Sequence, residues 1–261
     1  MIVRDVGDAW QVVFQPHHAD LSGALARAWG NDTLTAPRPH GSVAHAALRH
    51  DDGWAVWERS PGRDAAGSPR SFLDVQIPLH LDFYRACIAS VTDDDPYAGL
   101  LVSMHGAGIY RGRYGVQPSL TLSLAEEFKA MVDAFVVEQE EGYPARIAEL
   151  GISDDERWVN YKFLQLFDRL SLYFCLKDLD GGEAFEIDHV PADYAGSEVV
   201  LRIEPLGPWH IRLDPFPFAG DRAEFSLERR VVPKREWGSD EEFRESFLAI
   251  PTQKTAIVVE R

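Results

Sequence analysis

The chain has 261 residues, 45% hydrophobic and 11% aromatic, enough to bury a substantial core in one large domain or two small ones. With 26 Lys+Arg against 42 Asp+Glu the formal net charge is −16. That balance argues against a phosphate-backbone binder, which needs a basic face, and against docking on anionic membranes. The two cysteines, Cys87 and Cys175, are too few for a disulfide framework; both lie in apolar helical patterns, read as small core residues and point to a reducing cytoplasm. The N-terminus lacks the apolar stretch of a signal peptide, and no run approaches the roughly 18 apolar residues of a membrane span.

Residues 1–15 alternate around a Gly7-Asp8 turn and predict a β-hairpin. Pro16 then opens a helix in which His18, Leu21, Leu25, Ala28 and Trp29 recur at helical spacing until Gly30-Asn31. A loop with Pro37, Pro39 and Gly41 follows, then a second helix over about 42–51, stopped by Asp52-Gly53. Residues 58–71 carry Pro61, Gly62, Gly67 and Pro69 with Arg59, Arg63 and Arg70, a locally basic loop whose arginines are either solvated charges or an anion-contacting lid.

Helical periodicity resumes at about 77–91, where His80, Phe83, Tyr84, Cys87, Ile88 and Val91 share a face. Asp95-Pro96 is an N-cap and first-turn pair for a helix over 96–105 that Gly106 and Gly108 should break. Capping boxes at Ser123/Glu126 and Ser153/Glu156 predict helices to about 140 and about 177. From residue 185 the pattern turns to strands, clearest at 198–203, 209–213, 223–227 and 256–259, punctuated by prolines. The expectation is therefore one α+β domain over 1–261: a helical core at about 16–180, and a small antiparallel sheet built from the hairpin 1–15 and the strands of 185–261. Two separate domains is the alternative.

The chemistry-bearing residues stand on apolar helix faces. His50 and Asp51 are adjacent at a helix end, and a neutral imidazole and a carboxylate there can reach one metal ion. Asp168 shares a stripe with Tyr161, Leu164, Leu172 and Cys175; a carboxylate so placed needs a partner, either a metal or an arginine. His18 shares the face of Leu21 and Leu25, with His17 as the competing choice. His80 and His105 also face inward, and each of these histidines taken singly is also consistent with a hydrogen-bonded core residue. Together, four histidines and two aspartates suit Mn, Fe, Co or Zn, one ion or two, while a thiolate zinc site is excluded by the cysteine count.

His18, the pair His50-Asp51 and Asp168 within "FDRLSLYFC" give the order H…HD…D, which resembles the HD-domain superfamily of metal-dependent phosphohydrolases. That resemblance implies a helical bundle in which these four side chains hold a divalent metal, with His80 and His105 supplying the extra ligands of two-metal members. The segments "QPHHADLSGALARAWG", "RHDDGW" and "LVSMHGAGIY" also resemble a bacterial family of uncharacterised function, a likeness that spans most of the chain and brings no activity. The implied reaction is metal-assisted hydrolysis of a phosphorylated small molecule. Arg111 and Arg113 are then candidates to contact substrate phosphate, or ordinary loop charges; Asp52 is a candidate general base, or a helix-end turn residue. Some HD-like proteins carry two irons and are oxygenases, and a non-enzymatic module on a degenerate core is the third reading.

Overall fold

The structure, a computed structural model, describes residues 1–112, 116 and 124–261. The expected hairpin opens the chain: β1 (Ile2–Asp5) pairs antiparallel with β2 (Ala9–Val13). Helices α1 (Gln15–Ala28) and α2 (His40–Arg49) follow, then a 3-10 turn at Asp52–Trp54 and the short α3 (Ala55–Glu58). Next come α4 (Ile77–Asp94) and α5 (Pro96–Arg111), the latter capped by Asp95, whose carboxylate accepts from the Tyr97 and Ala98 amides at 2.9 and 3.0 Å. After α6 (Glu126–Glu141) and α7 (Tyr143–Leu150), Ser153 caps the long α8 (Asp154–Leu176) by accepting from the Glu156 amide at 3.1 Å. The C-terminal part contains β3 (Phe185–Pro191), β4 (Glu198–Gly207), β5 (His210–Asp214), β6 (Arg222–Pro233), α9 (Asp240–Ala249) and β7 (Gln253–Glu260).

The α+β class is as expected, but the sheet is larger than a small antiparallel layer. Seven strands join in the order β1-β2-β6-β7-β5-β4-β3, and the sheet is mixed because β5 and β7 run parallel, His210 beside Val258 and Arg212 beside Glu260. Strand β6 makes this possible by changing partner along its length. Residues 222–229 pair with β7 and residues 230–233 with β2, so one long strand stitches the N-terminal hairpin to the C-terminal strands.

Strand alternation sorts side chains between two cores. Ile2 and Val13 enter the main core, while their neighbours Met1 and Val12 enter a second cluster with Val232, Trp237, Phe243 and Phe247, covered by α9. On the main-core side, α8 packs on β1 and β3 and α1 packs on β6. Helix α1 also lies against α2 and α8, and α4 against α5. No helix among the described residues is long and apolar enough to cross a membrane.

Two expectations about helix ends change. Helix α5 does not stop at Gly106 but continues to Arg111. A Cβ at Gly106 would sit 2.9 Å from the Tyr84 ring, so this glycine lets α4 approach closely rather than ending the helix. The proposed Ser123 cap lies outside the described residues; α6 begins at Glu126. The loop 58–71 is held by its own arginines: Arg63 donates to Asp240 at 2.7 Å and to the Trp237 carbonyl at 2.9 Å, and Arg70 donates to the Arg63 carbonyl at 2.9 Å.

Candidate metal centre

Four helices converge on one polar cluster inside the main core. Helix α1 supplies His18, the end of α2 supplies His50 and Asp51, α5 supplies His105 and α8 supplies Asp168. All five are buried, between 0% and 6% exposed. They form two overlapping groups that share His50: His18–His50–Asp168 and His50–Asp51–His105, each with donor atoms within 4.8 Å of one another. His18 Nε2 lies 3.0 Å from Asp51 Oδ2 and 3.9 Å from Asp168 Oδ1; His50 Nε2 lies 3.5 Å from Asp168 Oδ1 and 3.7 Å from Asp51 Oδ2.

The rings are aimed by their other nitrogens. His50 Nδ1 donates to the Ala47 carbonyl at 2.9 Å, which leaves Nε2 directed at the carboxylates. His18 Nδ1 meets Ser171 Oγ at 2.7 Å and His18 Nε2 donates to Asp51 Oδ2 at 3.0 Å, since a carboxylate only accepts; with Nε2 on a metal instead, Nδ1 would carry the proton and donate to the Ser171 hydroxyl. The turn carrying His50 and Asp51 is clamped from α4. Cys87 Sγ donates to the carbonyls of Arg49 and His50 at 3.0 and 3.4 Å, and a Cβ at Gly53 would lie 2.1 Å from the Phe83 carbonyl oxygen. Glycine is needed there because two backbones touch.

Electrostatically the cluster is a set of buried charges that neutralise one another. Burial alone would depress the His50 imidazole, but Asp51 and Asp168 outweigh it and hold the group up, at about 9. Burial would raise both carboxyls; His50 and His18 bring Asp51 below its ordinary range, and the three imidazoles push Asp168 well below it. Burial dominates at His105 and pushes it down to about 4. The two carboxylates thus favour the charged form of His50, and His50 favours theirs.

The arrangement also fits a cation. Among the described residues, His50 Nε2 and Asp51 Oδ1 are buried without a hydrogen-bond partner, so a cation that displaces the Nε2 proton would find an imidazole nitrogen and a carboxylate oxygen of neighbouring residues open to it. Imidazole and carboxylate donors at this spacing match first-row divalent metals, whose bonds to N and O are about 2.0–2.2 Å for zinc.

The remaining sequence candidates fall elsewhere. His18 rather than His17 belongs to the cluster; His17 stacks on Phe14 and lies 3.7 Å from Glu228. His80 lines the same cavity but joins neither ligand group: its Nδ1 bonds to Tyr110 Oη, and its ring lies 4.9 Å from Tyr84 and 5.1 Å from Trp54. Asp52 points away from the cavity wall and pairs with Arg49, which also bonds Asp94 at 2.8 Å. Arg111 pairs with Glu140 at 3.0 Å, outside that wall, and Arg113 lies outside the described residues.

The cavity over the cluster holds about 220 Å³. Part of its wall comes from near neighbours of the cluster residues: Gln15 three before His18, Trp54 three after Asp51, Ile109 four after His105, and Leu172 four after Asp168; Ile77, His80, Tyr84 and Tyr110 of α4 and α5 add to it. None of the four near neighbours was singled out as a site residue from sequence, yet the i±3 and i±4 positions of each ligand are where that part of the wall must come from. Phe72, Leu73 and Val75 complete it from the segment before α4.

Residues 1–234 match the model of a family described as protein of unknown function (DUF3891), and the chain belongs to that family. All five cluster residues lie within the matched segment. No curated protein matched the sequence, and no solved structure matched it.

Proposed function

We propose that this protein is a transition-metal enzyme in which His18, His50, Asp51, His105 and Asp168 hold one or two divalent ions in an HD-like arrangement. The observation that carries the proposal is a five-residue buried cluster whose donor atoms lie within 4.8 Å of one another in two overlapping groups, in which His50 Nε2 and Asp51 Oδ1 have no hydrogen-bond partner among the described residues. Buried polar atoms without a hydrogen bond cost free energy in an apolar core, and a metal would satisfy both. Bound there, a metal would supply Lewis acidity or redox chemistry to a molecule in the cavity. The chain's own residues orient the rings, through the Ala47 carbonyl and the Ser171 hydroxyl. Two free buried thiols, Cys87 and Cys175, support a reducing, cytoplasmic setting.

Two chemistries compete. Hydrolysis of a phosphorylated small molecule asks for cations around the phosphoryl oxygens, and no Lys or Arg lines the cavity among the described residues. Iron-dependent oxygenation asks for a His-rich site in a dry, apolar cavity, and this wall supports that reading better.

Metal analysis of protein purified without chelator tests the centre. The expected result is bound Fe, Mn, Co or Zn in the wild type, with loss of metal in His50→Ala and Asp168→Ala at unchanged helical circular dichroism. A wild-type protein that retains no metal, and takes up none of the four when apo, overturns it. Oxygen consumption by the iron form against phosphate release from phosphomonoesters separates the two chemistries.

A further inference from the structure

We propose that the cavity takes a small, uncharged, mostly apolar molecule whose hydrogen-bonding group is read by the Gln15 side-chain amide. The assignment deepens the metal-centre reading above, which it relies on to place the reacting end of the molecule.

Size comes first. At about 220 Å³ the cavity lies below the roughly 300–1,000 Å³ of ordinary small-molecule sites, so its occupant is small. Polarity comes next. Phe72, Leu73, Val75, Ile77, Ile109 and Leu172 give the wall an apolar lining, and its only charged carboxylates among the described residues are Asp51 and Asp168 of the cluster itself. An anionic substrate would lose its hydration against this lining; among the described residues no Lys or Arg lines the cavity to replace it, and a metal held by Asp51 and Asp168 has its charge offset by those carboxylates. A neutral apolar body loses nothing comparable and gains burial.

Gln15 supplies the specific contact. It is 4% exposed, lines the cavity, and its Oε1 has no hydrogen-bond partner among the described residues. The residue is fixed in place, because its backbone N–H donates to both carboxylate oxygens of Glu58, at 3.0 and 3.1 Å. His80 and Tyr110, the polar pair on another part of the wall, are already bonded to each other. A buried amide oxygen without a donor is costly, and a ligand hydroxyl or N–H placed against it removes that cost. Either orientation of the amide keeps the argument, since the amide NH2 would donate to an oxygen of the ligand.

The mouth fits the same class of molecule. Leu73 sits on the 3-10 turn Phe72–Asp74, lines the cavity and is still 78% exposed. The turn is anchored by Ser71 and Asp74, which cap it reciprocally, and by the Phe72 amide donating to the Met1 carbonyl at 2.8 Å. An apolar molecule entering beneath it would cover the exposed leucine.

A matched series of toluene, benzyl alcohol and benzyl phosphate tests this by titration calorimetry on the full chain, with and without reconstituted metal. Benzyl alcohol is expected to bind more tightly than toluene, and benzyl phosphate more weakly than both. Gln15→Leu should reduce the preference for the alcohol over toluene by about tenfold, the worth of one hydrogen bond. Leu73→Asp, at a position too exposed to threaten folding, should weaken both neutral probes. Tighter binding of benzyl phosphate, no binding of either neutral probe, or an alcohol preference untouched by Gln15→Leu each overturns the assignment. Metal content measured on the same samples keeps the two readings apart: a protein that binds metal but no neutral probe sinks only this one, and a protein that binds benzyl alcohol through Gln15 but no metal sinks only the metal centre.

Discussion

The helical half and the sheet half of this molecule bury different things. Among the described residues every buried polar or charged side chain falls between Gln11 and Ser171, and all but Gln11 of β2 lie in the helices or the turns that join them. From Phe185 to the last strand the buried side chains are apolar: Ile187, Leu201, Ile203, Leu213, Leu227, Ile257 and their neighbours. Packing alone explains the second set, since β-strands with one face on a core alternate in this way. It does not explain the first. Burying His50, Asp51 and Asp168 requires desolvating ions that an apolar core has no need of, and their mutual attraction offsets that cost only in part. The contrast locates the chemistry in the helices and leaves the sheet as their support.

The largest effect expected from breaking this contrast is at Asp168. Asp168→Ala leaves His50 and Asp51 without one of the cluster's two carboxylates, and should destabilise the metal-free protein by about 3–5 kcal/mol, as loss of one partner from a buried ion pair does. It should also end metal uptake. Denaturant unfolding and metal analysis check the two together; a variant as stable as the wild type would mean the charges do not depend on one another. Ile257→Ala, fully buried in β7 between β5 and β6, is the counterpart in the sheet. It should cost about 2–5 kcal/mol while metal per folded molecule stays unchanged. If metal content falls with it, the sheet does more than support the helices.

Much of the helical half is legible in the sequence because a His or Asp inside an apolar stripe is conspicuous at helical spacing. His18, His105 and Asp168 stand out this way, and Asp95 and Ser153 announce their helices through caps that the structure contains. The sheet is less legible for a physical reason. Its parallel β5–β7 pair and the partner change along β6 depend on chain segments far apart in sequence, and no local period encodes them. Helix α9 owes its burial to Phe243 and Phe247 meeting Val12 and Val232 of the sheet, two contacts set in an otherwise acidic stretch. Gly106 misleads in the opposite direction: the residue that reads as a helix breaker is the one that lets Tyr84 reach α5. Asp52 shows where helical-face reasoning stops. With α2 ended and His50 as its C-cap, the next residues follow turn geometry, and Asp52 turns to Arg49 instead of the cavity.

His80 sharpens the boundary between wall and cluster. Burial pushes its imidazole down to about 4, with the Asp51 charge opposing only weakly. A histidine held neutral in the folded state takes up its proton more readily when unfolded. Its contribution to stability is therefore complete above the free-histidine value near 6.5 and is lost as pH falls toward about 4. The gap corresponds to at most roughly 3 kcal/mol. In metal-free protein, His80→Phe should flatten the loss of stability between pH 6.5 and 4.5 relative to wild type, read as unfolding midpoints at each pH. An unchanged slope would show that His80 is solvated rather than part of the dry wall.

The smallest effect expected is also the most specific. Ser171 touches His18 Nδ1 and stands no closer to the cavity than the ring it orients. Ser171→Ala removes the hydroxyl that would accept from His18 Nδ1 once Nε2 is on a metal, while leaving every proposed ligand in place, and groups acting at this remove change metal affinity by about 10–100-fold. Ser22 is the internal control, because it bonds Ser171 Oγ at 2.8 Å and the His18 and Phe167 carbonyls, but not the imidazole. Ser22→Ala should therefore weaken metal binding less than Ser171→Ala, although both serines are buried at 0% and lose a hydroxyl of the same size. Competition against a metal-indicator dye measures both. Equal losses in the two variants would assign the effect to packing of α1 on α8; a loss confined to Ser171→Ala assigns it to the orientation of His18, and with it ties the polar half of the molecule to metal rather than to an ion pair that merely persists in the core.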